Sequence, residues 1–193
     1  MWLYDALTIA CWIIFIVYWT VASTHVKHDR HVKSAWQSSG FAISMALVFL
    51  VVVATLAERD ILWELFSIYP VVPNSPIIDA IGTVVCATGI AVAIWARVHL
   101  GRNWSAEPAI KEGHILVTSG PYRFVRHPIY ASLLLAACGS ALVGGSIWIV
   151  VLITLAGILM YRMIKEERIL FAEFKQEYFA YKRRTCLLIP FIL

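Results

Sequence analysis

Charged and uncharged positions are segregated along this chain into long blocks. Four windows contain no Asp, Glu, Lys, Arg or His: residues 6–24, 34–57, 80–96 and 128–161. Crossing a hydrocarbon layer takes about 20 helical residues, with a range of roughly 17 to 25, so each of the first three windows predicts one transmembrane helix. The fourth window, 34 residues long, is too long for a single crossing. Gly144-Gly145 at its midpoint, followed by Ser146, predicts a tight helical hairpin that crosses twice, which brings the total to five. Residues 65–78 are also uncharged up to Ile78, but Pro70, Pro73 and Pro76 interrupt them, and the stretch is too short to cross. An interfacial excursion is expected there.

Composition turns these windows into a statement about solvent. Mean hydropathy is +0.77 and only 15% of residues are charged, far from the soluble globular average. The expected class is an all-α integral membrane protein, a single multi-pass domain over residues 1–193. Only Asp5 is charged before the first apolar run, so that run lacks the basic start of a signal peptide and reads as an anchor. Cys11, Cys86, Cys138 and Cys186 are isolated, without CxxC spacing, and read as small hydrophobes.

Charge then sets the orientation. With five crossings, the connectors holding Lys27 to Lys33, Arg97 to Arg126 and Arg162 to Arg184 share one face, which carries 15 of the 16 Lys and Arg; only Arg59 lies opposite. The positive-inside rule makes that face cytoplasmic. A single crossing by residues 128–161 would send seven basic residues outward, so the same count favours the hairpin. The spacing of His25, His28 and His31 suits a metal, but the interleaved Lys27, Arg30 and Lys33 would repel one; a basic ridge facing anionic headgroups is expected instead, and no metal site. Nothing points to a nucleic-acid partner.

The two large polar segments on that face, residues 97–128 and 162–184, are where chemistry is expected. Ile115, Leu116, Val117 and Thr118 form an extended β-branched run, Ser119-Gly120-Pro121 a turn, and Pro128 suits the first turn of the next helix. His127 and Tyr130, three apart, share a face beside the free N–H groups of that helix start, and Arg162 and Glu166, four apart, share another. Taken singly, Arg123 and Arg126 suit snorkelling and Arg162 with Glu166 an ordinary helical pair. Together, a turn, aromatic rings, a helix N-terminus and both signs of charge suit an amphipathic zwitterion that carries a flat ring.

The stretch "GHILVTSGPYRFVRHPIY", a helical hairpin, then "RMIKEERIL" and "EYFAYKRR", resembles the isoprenylcysteine carboxyl methyltransferase family, integral membrane enzymes that methylate the carboxylate of a prenylated C-terminal cysteine. The resemblance covers roughly residues 95–191 and makes 77–193 a methyltransferase core; residues 1–76 supply only membrane helices that are not diagnostic. It implies S-adenosylmethionine as cofactor and S-adenosylhomocysteine as product, in a cytoplasmic pocket formed by His114, Ile115, Leu116, Val117, Tyr122, His127, Pro128, Ile129 and Tyr130. Glu166 or its neighbour Glu167 is implied to hold the cofactor's ammonium, and Arg162 to meet the carboxylate of a lipophilic, prenylcysteine-like substrate drawn from the membrane lipids. Ser132 stands where the family often has Gly, and Glu107 where some relatives have Gln. The absence of a GxGxxG turn argues against a soluble Rossmann methyltransferase. A phospholipid N-methyltransferase is the nearest alternative, and a non-catalytic lipid-binding membrane protein a further one.

Overall fold

Three of the four uncharged windows lie in helices of a computed structural model that describes residues 2–23, 72–73, 75–104 and 115–190. The helices are α1 (Trp2–Ser23), α2 (Pro76–Leu100), α3 (Pro128–Gly144) and α4 (Ser146–Lys182). Single 3-10 turns occupy Gly101–Asn103 and Gly120–Arg123. Every other regular feature among the described residues is one isolated parallel bridge, Val125 to Cys186. The crossing expected at residues 34–57 lies outside the described residues, as do His25, His28 and His31. α1, α2 and α4 are long and apolar enough to span a membrane, and α3 is a shorter apolar helix of 17 residues. The described residues thus hold three such spans, where the sequence predicts five crossings over the whole chain.

Local chemistry accounts for the helix bounds. Pro128 begins α3 as expected, because a first-turn residue needs no N–H donor and the proline ring already holds a helical φ. Pro76 begins α2 for the same reason, which corrects its reading as a helix breaker; Asp79 sits in that first turn, where the helix dipole favours an acid. Gly145, at φ 70°, is the only residue between α3 and α4, so the expected hairpin turns there.

Packing then orients the helices. Thr8 Oγ1 lies 3.5 Å from Thr83 Oγ1, and Arg97 Nη2 donates to the Ala22 carbonyl at 2.8 Å. Both pairs are 75 residues apart, so α1 and α2 run parallel. Arg97 is buried; it also donates to the Gly101 carbonyl at 2.7 Å and lies 4.6 Å from the Trp104 ring and 5.8 Å from that of Trp19. This one side chain satisfies carbonyls at the ends of two helices and rests against aromatic faces. Farther along α1, Trp12 stacks on Trp148 and donates to Ser140 Oγ at 3.0 Å, which ties α1 to the hairpin.

α2 and α3 run antiparallel at very close approach. A Cβ added at Gly89 would stand 2.6 Å from Ala136 N and 2.7 Å from Ser132 O, and one at Gly82 would stand 2.7 Å from Gly139 O. Small residues at such spacing let helix backbones pack directly, which drives association where lipid removes the hydrophobic term. Because the obstructing atoms are backbone, they cannot move aside like the end of a flexible side chain. Gly89→Val is therefore expected to destabilise the protein by about 1 to 3 kcal/mol through overpacking, read as a lower melting temperature in detergent.

One break shapes the functional end. Within α4, Lys175 has φ 42° and ψ −106°, a non-helical conformation that costs a non-glycine residue about 1 to 3 kcal/mol. A continuous helix would carry Tyr178 about 16 Å along the axis beyond Glu167, at 1.5 Å per residue. Instead the Tyr178 hydroxyl donates to Glu167, because the chain folds back after Lys175. The returning segment then pairs with residues 124–127: Arg126 N donates to Cys186 O at 2.9 Å, His127 N to Leu187 O at 3.2 Å and Cys186 N to Phe124 O at 3.2 Å.

Candidate active site

The C-terminal end of α2, the start of α3 and the turn at residues 162–167 of α4 meet at one end of the bundle. His127 and Tyr130, one helical turn apart at the start of α3, have rings stacked 5.6 Å apart and 5° from parallel. Both are buried. From α4, Glu166 accepts a hydrogen bond from the Tyr130 hydroxyl, and Arg162 Nε donates to the same hydroxyl at 3.4 Å. The phenol thus links a carboxylate to a guanidinium one turn earlier on the helix.

His127 lies between two carboxylates. Its Nδ1 is 3.4 Å from Glu166 Oε2, and its Nε2 is 3.2 Å from Glu167 Oε1. A neutral imidazole carries one N–H, which would leave a lone pair facing an anion; two carboxylates therefore favour the imidazolium. Burial pushes the His127 pKa down, but the hydrogen bonds to Glu166 and Glu167 and the charge of both carboxylates outweigh it, and the net direction is up. Glu167 is also met by Arg126 Nε at 3.0 Å, Lys182 Nζ at 3.2 Å and the Tyr178 hydroxyl. Tyr122 is buried in the turn before α3, and burial, reinforced by the Glu166 charge, holds its phenol well above the ordinary value, so the ring stays neutral.

The raised His127 pKa has a consequence for stability. A group protonated more tightly in the folded state stabilises it fully below its unfolded pKa, near 6.5, and that contribution is lost as pH rises through the folded value. The groups facing His127 are Glu166, Glu167 and Tyr130, with Arg126, Lys182 and Tyr178 around Glu167. Melting temperature in detergent should therefore fall as pH is raised from about 6 into the alkaline range, and His127→Asn should flatten that slope. A slope unchanged in the variant would assign it to another group.

Of the residues singled out in the sequence, Tyr122, His127, Pro128, Ile129 and Tyr130 are buried at the meeting point, with Arg162, Glu166 and Glu167 opposite on α4. Residues 115–118 form no helix or strand; Ile115 is exposed, Leu116 is half-buried, and Val117 packs against the core. His114 lies outside the described residues. Arg126 is not a snorkelling cation: it is held by Glu167 and by two carbonyls of the returning segment. Tyr178, Tyr181 and Lys182 are what sequence reading missed. Their one signal is the i, i+3 spacing of two tyrosines ahead of a basic run; both rings are buried where the rest of α4 from 171 to 182 is exposed apart from the half-buried Phe174.

Residues 80–172 match the model of the isoprenylcysteine carboxyl methyltransferase (ICMT) family. Through these residues, a little under half of the chain, it is similar to that family. All of the described site from Tyr122 to Glu167 falls inside the ICMT match, whereas Tyr178, Tyr181 and Lys182 lie beyond it. A curated relative, the cobalt-zinc-cadmium resistance protein CzcN of Cupriavidus metallidurans, is 36% identical over 94 residues, covering 47% of this chain and 43% of that protein. A solved eukaryotic structure, that of the intramembrane Ras methyltransferase ICMT (isoprenylcysteine carboxyl methyltransferase) without a monobody, shares the fold at a TM-score of 0.57 and 24% identity, covering 76% of this chain and 53% of that one. The chain thus spans about half the length of these relatives.

Proposed function

We propose that this protein is an S-adenosylmethionine-dependent methyltransferase that O-methylates the carboxylate of a lipophilic, prenylcysteine-like acceptor at the membrane, with S-adenosylhomocysteine as the product. One observation carries the reading: Tyr130 joins Glu166 to Arg162, so an anionic and a cationic anchor stand side by side at the end of the helix bundle.

The donor set fits the cofactor. Glu166 is a partly exposed carboxylate suited to an ammonium, and the neutral Tyr122 and Tyr130 rings suit a sulfonium through cation–π attraction of ~0.5 to 2 kcal/mol. When bound, S-adenosylmethionine supplies an electrophilic methyl group on sulfur. Glu166 holds and orients it, with Tyr122, His127, Pro128, Ile129 and Tyr130 as walls that exclude water; Ile115, Leu116, Val117 and His114 belong to the same proposed pocket. Arg162 grips the acceptor carboxylate while the acceptor's apolar tail stays among the helices.

The protonation states favour this acceptor class. A C-terminal carboxylate has a pKa of about 3.3 to 3.7, so it is ionised at neutral pH and needs no general base. An amine acceptor, with a pKa of about 10, must lose a proton first, and His127 as an imidazolium between two carboxylates has no lone pair to accept one. A basic Arg162 would repel it as well. The decisive experiment offers the purified protein a farnesyl-cysteine analogue and phosphatidylethanolamine with methyl-labelled cofactor. Alkali-labile label on the cysteine analogue is expected; label only on the amine lipid would overturn the reading.

A cytoplasmic active site belongs to the same proposal, supported by the 15-to-1 split of Lys and Arg. In a background without the native cysteines, thiol labelling at Ser119→Cys and Ser146→Cys should report opposite sides of the membrane. Labelling of both from one side would exclude the hairpin crossing.

A further inference from the structure

Glu166 and Glu167 are adjacent in sequence but differ in what they can still bind. A carboxylate offers about four acceptor sites. Glu167 Oε1 takes Arg126, His127 and Tyr178, and Oε2 takes Lys182, so its capacity is spent. Glu166 takes the Tyr130 hydroxyl on one oxygen and faces His127 on the other, which leaves it capacity for a further donor. Two of Glu167's partners, Tyr178 and Lys182, lie past the break at Lys175.

We propose that Glu167 is a positioning residue: it anchors residues 176–190 as a strap across the turn at 120–127, and the strap sets Tyr122 and His127 in place for the cofactor, which Glu166 alone of the pair contacts. The cofactor clause rests on the function proposed above. Arg126, paired to Glu167, also donates to the carbonyls of Thr185 at 2.6 Å and Lys182 at 3.3 Å, so one ion pair grips both the root and the far side of the strap. The Tyr181 hydroxyl donates to the Tyr122 carbonyl at 2.8 Å, which fixes the turn carrying that ring. The strap backbone pairs with residues 124–127, and Leu187 and Leu188 pack against the core. The hydrogen bonds among these contacts join the 120–127 turn to the strap, and Glu167 gathers cations from both sides. Glu167, itself half-buried, holds Arg126, His127 and the exposed Lys182 only while it is charged, because removing its charge leaves the buried His127 without that compensation.

Glu167→Gln tests this, since it keeps size and shape and removes the charge. In the full chain in detergent, hydrogen exchange at the amides of Arg126, His127 and Cys186, which the strap pairing protects, should quicken at least tenfold, while amides within α2 and α3 keep their rates. S-adenosylhomocysteine affinity, read by calorimetry, should fall about tenfold. Glu166→Gln should weaken the same binding without altering exchange at those three amides. Tyr178→Phe, which removes a single strap bond, should shift exchange in the same direction by less, and guards against a Glu167 variant that does not fold. Unchanged strap exchange in Glu167→Gln, with affinity lost as in Glu166→Gln, would make Glu167 a direct ligand and overturn the proposal. Faster exchange throughout α2 and α3 would reduce its role to general stability and overturn it too. If the wild-type chain binds no S-adenosylhomocysteine, the functional reading fails, and the exchange measurement still decides whether Glu167 anchors the strap.

Discussion

Arg162→Ala is expected to lower kcat/KM for ester formation by roughly ten- to a hundredfold or more, with S-adenosylhomocysteine affinity changed far less. The magnitude follows from the bond assigned to it: a hydrogen bond to a charged group contributes about 1.5 to 3 kcal/mol, and each 1.4 kcal/mol is a factor of ten. The asymmetry follows from position. Arg162 donates to the Tyr130 hydroxyl, and that hydroxyl donates its own proton to Glu166, so loss of Arg162 removes the carboxylate anchor and leaves Tyr130 still donating to Glu166. Arg162→Lys should recover only part of the rate, since an ammonium keeps the charge and loses the planar fork that meets both oxygens of a carboxylate. Ester formation unchanged in Arg162→Ala would remove the basis for an anionic acceptor.

Glu166→Gln is expected to weaken S-adenosylhomocysteine binding by roughly ten- to a hundredfold, again from about 1.5 to 3 kcal/mol for a charge-assisted bond. The amide still accepts from Tyr130, so the site's shape persists, and calorimetry reads the lost charge. His127 would then keep only one carboxylate neighbour, Glu167, and part of its pKa elevation should go with the other. The alkaline loss of stability should accordingly be smaller in this variant and complete at lower pH than in the wild type. Equal affinity in both proteins would mean the ammonium is held elsewhere.

Much of this site was legible in the sequence, and the legible parts share a physical origin. The uncharged windows, the Gly145 turn, the Pro128 start of α3 and the His127–Tyr130 pair all follow from rules that act within one or two turns of chain: hydrocarbon thickness, backbone freedom at glycine, the missing proline N–H and the 3.6-residue period. Pro76 was the local misreading, because the same proline that breaks a helix interior starts a helix when it falls at the first position.

What only the tertiary structure decided involves partners far apart in sequence. Glu166 and Glu167 are the same residue type one position apart, and no local rule ranks them. Their difference arises because Arg126, some 40 residues upstream, and Tyr178 and Lys182, beyond a backbone break, converge on Glu167. That break sits at a lysine, a residue with no preference for a positive φ, so the fold-back has no signal in the letters around it. Arg97 is a second case: in sequence it counts as one more basic residue, and in the fold it is buried between Trp19 and Trp104 on the carbonyls of Ala22 and Gly101. Segregation of charge determines which segments enter lipid, since transfer from water depends on each segment's own composition. Which cation meets which carboxylate depends on distances across the bundle, and those exist only once the helices have packed.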